Sequence, residues 1–584
     1  MQSRKSQSLL QGASILAAAM IIVKLFGAVF KIPLGNILNA DGMGYFSTAY
    51  SIFSMIYSFA TVGLPSAVAK MVAEQSVRER YQDIRRIRKL SVRLFFWMGM
   101  VGFVLMAVCS KWFVDLAGNG NDGALLSVIA ISPAVFFGCM MSAYRGYYEG
   151  LRNMTPTASS QIIEVIAKLI FGLALAWGVT YWAQMQYQAG GTVFGQTVTS
   201  TVGLQRVTAP YASAAAIFGV TISTFVGTLY LLILHKRKGD GIDKEDLKYS
   251  PRPLRYRVIL LRLIKIAIPI SLGSIVINVA QFIDTFTIIT RLDAAFAAHG
   301  AEMNAIFGSL IPAETLAAGE GANFIYGSYM GYALSVFNLV PAFTSIFGKS
   351  ALPNVAAAWT VRDKRNTRIN IESVIRMTCL VGIPASLGIF AMAEPILTLL
   401  FPSKTAEVAI AAPVLSMQGI SLIFLGLTSP LFAVLQGLGR ADLPPKFMLV
   451  SAVLKFIVNW VAIGIPSVNI QGAAAGTAAC YATIVILCLI WLRKITGIRF
   501  RFVRLLIKPL LSGAACALTA YAVYHWLLGS FGSNTIKTLA GIACGALVYA
   551  VLILVLRGIT KEDVLMLPKG EKFAKLLEKY RLLG

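Results

Sequence analysis

The sequence predicts an all-α polytopic membrane protein. It has 14 transmembrane helices, arranged as two six-helix lobes in parallel repeat plus two C-terminal helices. Three observations predict this. The 584 residues are 57% hydrophobic and only 13% charged, whereas soluble domains are nearer half apolar and a quarter charged. Apolar runs of about 20 residues or more, long enough to cross a bilayer, recur along the chain. A segment of the first half also reappears in the second.

The spans fall near residues 8–36, 42–74, 90–116, 123–149, 155–184, 208–235, 257–290, 322–348, 367–395, 405–437, 443–465, 469–492, 504–528 and 533–557. The first begins near Ser8 and runs past the roughly 7–15 residues of a signal-peptide core, so it reads as a retained span. Gly63 and Pro65 interrupt the second, Pro269 and Gly273 the seventh, and Pro341 the eighth. These residues predict bends.

The loops alternate in charge. "SVRERYQDIRRIRKLSVR", "HKRKGDGIDKEDLKYSPRPLRYR", "VRDKRNTR" and "RKITGIRFRFVR" are basic, while "DLAGNGNDG" and "GTVFGQTVTSTVG" carry almost no Lys or Arg. The basic side is predicted to be cytoplasmic, in a bacterial cytoplasmic membrane, with both termini inside. Topology thus accounts for the net charge of +26 without a nucleic-acid partner. The tail "LPKGEKFAKLLEKYRLLG" places Phe573, Leu576, Leu577 and Tyr580 on one helical face. It is expected to lie on the inner leaflet.

The repeat is ungapped. "EGLRNMTPTASSQIIEVIAKLIFG" (Glu149–Gly172) aligns with "QGLGRADLPPKFMLVSAVLKFIVN" (Gln436–Asn459), matching Lys168 to Lys455. The two segments lie six helices apart, an even number, so the halves share one orientation. The expected division is 1–238 and 239–500 for the lobes, 501–557 for the last two helices, and 558–584 for the tail. A two-lobed transporter with its site between the lobes near mid-membrane follows from this pattern.

Ionisable residues inside spans carry the functional information, because each costs about 2.5–3.5 kcal/mol near the bilayer centre. Lys24 and Lys31 lie seven residues apart in "MIIVKLFGAVFKIPLG" and share a helix face. Glu164 and Lys168 are spaced i,i+4 in the order that favours pairing. Lys455 lies mid-depth in span 11. These five residues are the candidate binding set for an anionic substrate. On span seven, Asn278, Gln281, Asp284 and Thr285 form a polar stripe that could hold a coupling cation or proton.

Other chemistry lacks a basis. The seven cysteines form no C-x-x-C pair, and the three histidines are scattered, so no metal site is expected. Gly118, Gly120 and Gly123 spell G-x-G-x-x-G in an outside loop, without the strand and helix that would give the motif meaning. There is no Walker A sequence and no recognisable catalytic pattern, so the chain is not expected to be an enzyme.

Several stretches resemble one family: "YRGYYEGLRNMTPTASSQIIEVIAKLIFG", "IPISLGSIVINVAQFIDTFTIITRL", "LQGLGRADLPP" with "NIQGAAAGT", and "LPKGEKFAKLLEK". They are similar to the polysaccharide-flippase branch of the multidrug/oligosaccharidyl-lipid/polysaccharide exporter superfamily, close to stage V sporulation protein B-like proteins and lipid II flippases. The resemblance implies alternating-access export of an undecaprenyl-pyrophosphate-linked saccharide, with lipid II as the best match. It places Lys24 where lipid II flippases have a cavity-lining Arg. Lys31 falls beside a second such position. The basic positions of spans two and eight have no counterpart in "SMIYSF" or near Ser335. Asp284 and Asn459 match positions that bind sodium in some members, which implies Na+ or H+ coupling.

No cofactor is expected. The expected partners are a polyprenyl-pyrophosphate-linked sugar, membrane lipids and cell-wall synthesis proteins, around a monomer. The competing readings are a flippase for another lipid-linked polysaccharide, a drug or cation antiporter of the same superfamily, and a membrane glycan ligase or scaffold.

Overall fold

The computed structural model describes residues 9–58, 63–118, 122–240, 242–497, 503–527 and 533–560. Gly120 and nearly all of the expected C-terminal tail lie outside these residues, as do the side chains of Asn278 and Gln281. The described chain is almost wholly helical and divides into two compact units, Met1–Gly331 and Tyr332–Gly584.

The first unit contains α1 (Leu9–Ile37), α2 (Ala40–Ser58), α3 (Leu64–Val77), α4 (Tyr81–Val108), α5 (Leu125–Gly150), α6 (Thr155–Gly190), α7 (Thr201–Lys238), α8 (Tyr256–Ala298) and α9 (Gly321–Ser328). Its core joins Phe30 and Leu34 of α1 to Met43 and Phe53 of α2, and to Val128 and Ile131 of α5. The second unit contains α10 (Leu339–Thr360), α11 (Lys364–Leu400), α12 (Thr405–Gly437), α13 (Leu443–Ala462), α14 (Gln471–Thr496), α15 (Lys508–Ala522) and α16 (Asn534–Val555). Ile371, Ile375, Val434, Leu435, Ile484 and Cys488 lie in its core.

Among the described residues, 11 helices are long and apolar enough to cross a membrane. The chain is a multi-pass membrane protein. The expected span 42–74 comprises α2 and α3, and Pro65 lies in the first turn of α3. Pro is suited to that position, where its missing N–H has no helical acceptor to lose. The expected span 322–348 is likewise broken: α9 leads into a π turn at Tyr329–Ala333, then Leu334–Phe337, then α10. Near its end, α11 bends at Met392, where the backbone leaves helical geometry. Pro395 follows three residues later and cannot donate to the carbonyl one turn back.

Two close approaches fix the packing of the first unit. α6 and α7 cross where Gly219 faces Gly172, and a Cβ on Gly219 would collide with the Gly172 backbone. α9 meets α2 where a Cβ on Gly327 would overlap the Ala40 carbonyl. Backbone cannot yield as a flexible side chain can. Gly327→Ala is therefore expected to lower stability by about 1–3 kcal/mol, the range for overpacking. Thermal unfolding in detergent checks this, and an unchanged midpoint would contradict the tight crossing.

The linker between α7 and α8 is strapped along the start of α4. Gln82 Nε2 donates to the Leu247 carbonyl at 2.9 Å, and the Gln82 N–H donates to Ser250 Oγ at 3.1 Å. Arg80, Arg85 and Arg86 donate to the carbonyls of Arg252, Ile242 and Leu254 at 2.8–3.1 Å. Asp83 is only 1% exposed and accepts from the Leu254 N–H at 2.7 Å and from Arg80 Nε at 2.5 Å. At the other end, Asp240 accepts from the Tyr147 hydroxyl at 2.8 Å and faces Arg85 and Arg88 at 3.8 and 3.6 Å. Burial alone would raise the Asp240 pKa. The Tyr147 and Ile242 hydrogen bonds and the two arginines outweigh that and hold the carboxyl below its usual range.

Beyond the strap, Arg262 of α8 pairs with Glu74 of α3 at 2.6 Å. α8 thus packs with α2 and α3 in the first compact unit. The lobe boundary expected after residue 238 marks the sequence repeat, whereas compactness divides the chain at Gly331/Tyr332.

Candidate functional site

α1, α2 and α6 bring Lys31 and Lys168 together. Phe30 and Lys31 are adjacent in α1, and Phe30 packs near Phe46 of α2 with ring centroids 6.3 Å apart. Along α2, Phe46, Tyr50, Phe53 and Tyr57 follow at spacings of three and four residues. That spacing puts them on one face, with neighbouring rings 4.9–6.1 Å apart. Lys168 of α6 reaches this face. Its ammonium stands 4.9 Å from the Phe30 centroid and 4.9 Å from the Tyr50 centroid. Each ring turns its negative face to the cation, an interaction that strengthens where water is scarce.

Lys31 lies near enough to Lys168 for the two positive charges to oppose each other. It is half-buried, and Lys24 on the same helix is exposed. In the second unit, Lys455 is 5% exposed and Asn459, one turn further along α13, is fully buried.

Glu164 gains a partner that its spacing did not suggest, while its charge still acts on Lys168. Arg145 of α5 donates to Glu164 Oε2 at 2.8 Å, and its Nε donates to Ser160 Oγ at 2.9 Å. Arg145 thus holds one turn of α6 through two contacts. The guanidinium fork suits this two-point grip better than an ammonium would. Sequence reasoning missed Arg145 as a site residue, because its partners lie 15 and 19 residues away on the next helix. Arg145→Ala is expected to lower stability by about 1.5–3 kcal/mol, the range for hydrogen bonds to charged groups, and Arg145→Lys to recover only part. Thermal unfolding of the two variants checks the order.

Asp284 of α8 is 8% exposed. The next residue, Thr285, shares hydrogen bonds of 2.9 Å with the hydroxyls of Ser51 and Tyr326. The coupling candidates fall in both units, Asp284 in the first and Asn459 in the second.

Family models match two parts of the chain: a polysaccharide biosynthesis protein model over residues 9–210, and a MatE model over residues 328–461. Lipid II flippase MurJ of Bacillus subtilis is 23% identical over 538 residues, covering 90% of each chain. Stage V sporulation protein B of the same organism is 23% identical over 564 residues, covering 96% of this chain and 98% of its own. The fold matches a solved structure of lipid II flippase MurJ in an inward closed conformation, with a TM-score of 0.60. That match has 14% identity and covers 93% of this chain and 98% of the other. The chain is homologous over nearly its whole length to these two proteins and shares the fold of the solved flippase.

An inward-facing multidrug resistance MATE family transporter of the MOP superfamily matches with the same TM-score of 0.60. Here identity is 13%, over 83% of this chain and 98% of that one. By its relation to these proteins the chain is a membrane flippase or transporter, and its intramembrane cations are candidate contacts for what it moves.

Proposed function

We propose that the protein is a flippase that exports an undecaprenyl-pyrophosphate-linked saccharide, with lipid II as the best match, by alternating access. The observation that carries this reading is the Lys168 ammonium held 4.9 Å from the Phe30 and Tyr50 rings, with the charge of Lys31 beside it. Glu164 is engaged by Arg145 rather than given over to Lys168 alone. Lys31, Lys168 and Arg145 against Glu164 and Glu149 leave at least one positive charge in excess. A pyrophosphate offsets that excess, whereas an organic cation would add to it.

In this reading the protein lies in a bacterial cytoplasmic membrane with its basic loops and both termini inside. Lys24, Lys31, Lys168 and Lys455 attract the pyrophosphate. The saccharide crosses in a wet path while the polyprenyl tail stays in lipid, which avoids placing a bare pyrophosphate in hydrocarbon. No residue has to make or break a covalent bond, so the protein acts without enzymatic chemistry. Asp284 and Asn459 are the proposed contacts for a coupling Na+ or H+.

The test is reconstitution into vesicles with labelled lipid II, a second polyprenyl-pyrophosphate-linked sugar, and an organic cation. Translocation of at least one lipid-linked sugar, reduced in Lys24→Ala, is expected. If only the cation moves, the cargo assignment is wrong.

A further inference from the structure

α11, α12 and α14, with the turn Val503–Ile507 and the start of α15, surround a cavity of about 340 Å³. Ile375, Phe424, Leu427, Leu489, Leu505 and Leu510 are among its lining residues, and every lining side chain is aliphatic or Phe. A buried water needs two to four polar partners, and none of these side chains offers one. The volume has room for roughly 11 groups the size of a water molecule or a methylene. The four helices are all candidate spans, so the surrounding medium is hydrocarbon. At the edge of the cavity, Ile486 and Leu510 are 54% and 44% exposed.

One end of this cavity lies beside a basic collar. Leu489 precedes the exposed Arg493 and Lys494 by four and five residues, about 6–8 Å along a helix. Lys508 lies one residue before the start of the Pro509–Leu510 pair, and its ammonium gives one proton to the Arg557 carbonyl at 3.2 Å, leaving two more to donate. Trp491, with Lys494 4.9 Å and Arg440 5.6 Å from its ring, marks the depth where headgroups begin.

We propose that this cavity holds part of one acyl chain, about 11 carbons of it, from an anionic bilayer phospholipid whose phosphate rests against Arg493, Lys494 and Lys508. The lining selects hydrocarbon, and the collar selects a negative headgroup. A polyprenyl chain carries a methyl branch on every isoprene unit, which makes it wider than an unbranched acyl chain. This lipid site is independent of which cargo the protein exports.

The experiment uses the purified, delipidated full chain. Native mass spectrometry and thermal unfolding are read with dioleoylphosphatidylglycerol, dioleoylphosphatidylcholine and undecaprenyl phosphate. Phosphatidylglycerol should bind at least tenfold more tightly than phosphatidylcholine and raise the unfolding midpoint. Leu427→Trp fills the cavity and should reduce that binding at least tenfold. A double variant, Arg493→Gln with Lys494→Gln, changes only exposed side chains. It should keep the fold and lose the preference for phosphatidylglycerol, which keeps the proposal testable if Leu427→Trp does not fold. Equal binding of the two phospholipids, unchanged preference in the double variant, or displacement of phosphatidylglycerol by equimolar undecaprenyl phosphate would overturn it.

Discussion

Lys168→Met is expected to slow translocation of a polyprenyl-pyrophosphate-linked saccharide by about 10- to 100-fold. The estimate takes one charge-assisted contact at about 1.5–3 kcal/mol, where each 1.4 kcal/mol is a factor of ten. Methionine keeps most of the side-chain length and can still lie on Phe30 and Tyr50, so the change removes charge more than packing. The loss should therefore appear in transport with little change in the unfolding midpoint. Lys168→Arg should retain much of the activity, because a guanidinium also stacks on aromatic faces. Tyr50→Leu removes one of the two rings beneath the ammonium, and its effect should be smaller, since a cation–π contact contributes about 0.5–2 kcal/mol. Vesicle assays on the three variants give the ranking. Full transport by Lys168→Met would remove Lys168 from the substrate path.

Asp83→Ala is expected to destabilise the protein by about 2–4 kcal/mol. Asp83 is buried and bridges Arg80 to the Leu254 N–H, so its loss strands a donor and a guanidinium together. Breaking a buried ion pair costs about 3–5 kcal/mol. Here Arg80 is 25% exposed and can regain water, which lowers the figure. The strap should also become accessible. Limited proteolysis between residues 242 and 255 should speed up in the variant, and unchanged cleavage would show that the linker holds without Asp83.

Acid should loosen the other end of the same strap. The folded Asp240 carboxyl titrates below its unfolded value, so its contribution is fully present above the unfolded pKa of about 3.9. It is lost as pH falls through the lower folded value. The contribution of Asp240 itself should therefore stay flat between about pH 5 and 8.

The positions of the long spans were legible in the sequence. The runs near 123–149 and 405–437 correspond to Leu125–Gly150 and Thr405–Gly437, because continuous apolar stretches bounded by polar loops leave little choice of helix. Breaks inside a span were less legible. Pro341 drew attention in the eighth, yet the π turn at Tyr329–Ala333 lies upstream of it in a stretch without proline. The cations were legible as costs, but their partners were not. Phe30 and Tyr50 are more than 100 residues from Lys168, and no local spacing announces such a contact. Likewise, the charges of "SVRERYQDIRRIRKLSVR" read as a signal of topology. In the structure Arg80, Gln82, Asp83, Arg85 and Arg86 are also hydrogen-bonding partners of one specific linker.

The crossing of Gly172 and Gly219 bears on the order in which the molecule assembles. α6 and α7 are neighbours in sequence, and the turn joining them is closed by the short antiparallel pairing of Thr192 with Thr197 and Val193 with Gln196. Ala183, Val193 and Val198 seal it with a small apolar cluster. Every partner in this hairpin has been synthesised once Lys238 is made. Closing it requires only a short loop, so its entropic cost is low. It can form as a local nucleus during synthesis, before the second unit exists, and give α1 a finished surface on which to dock.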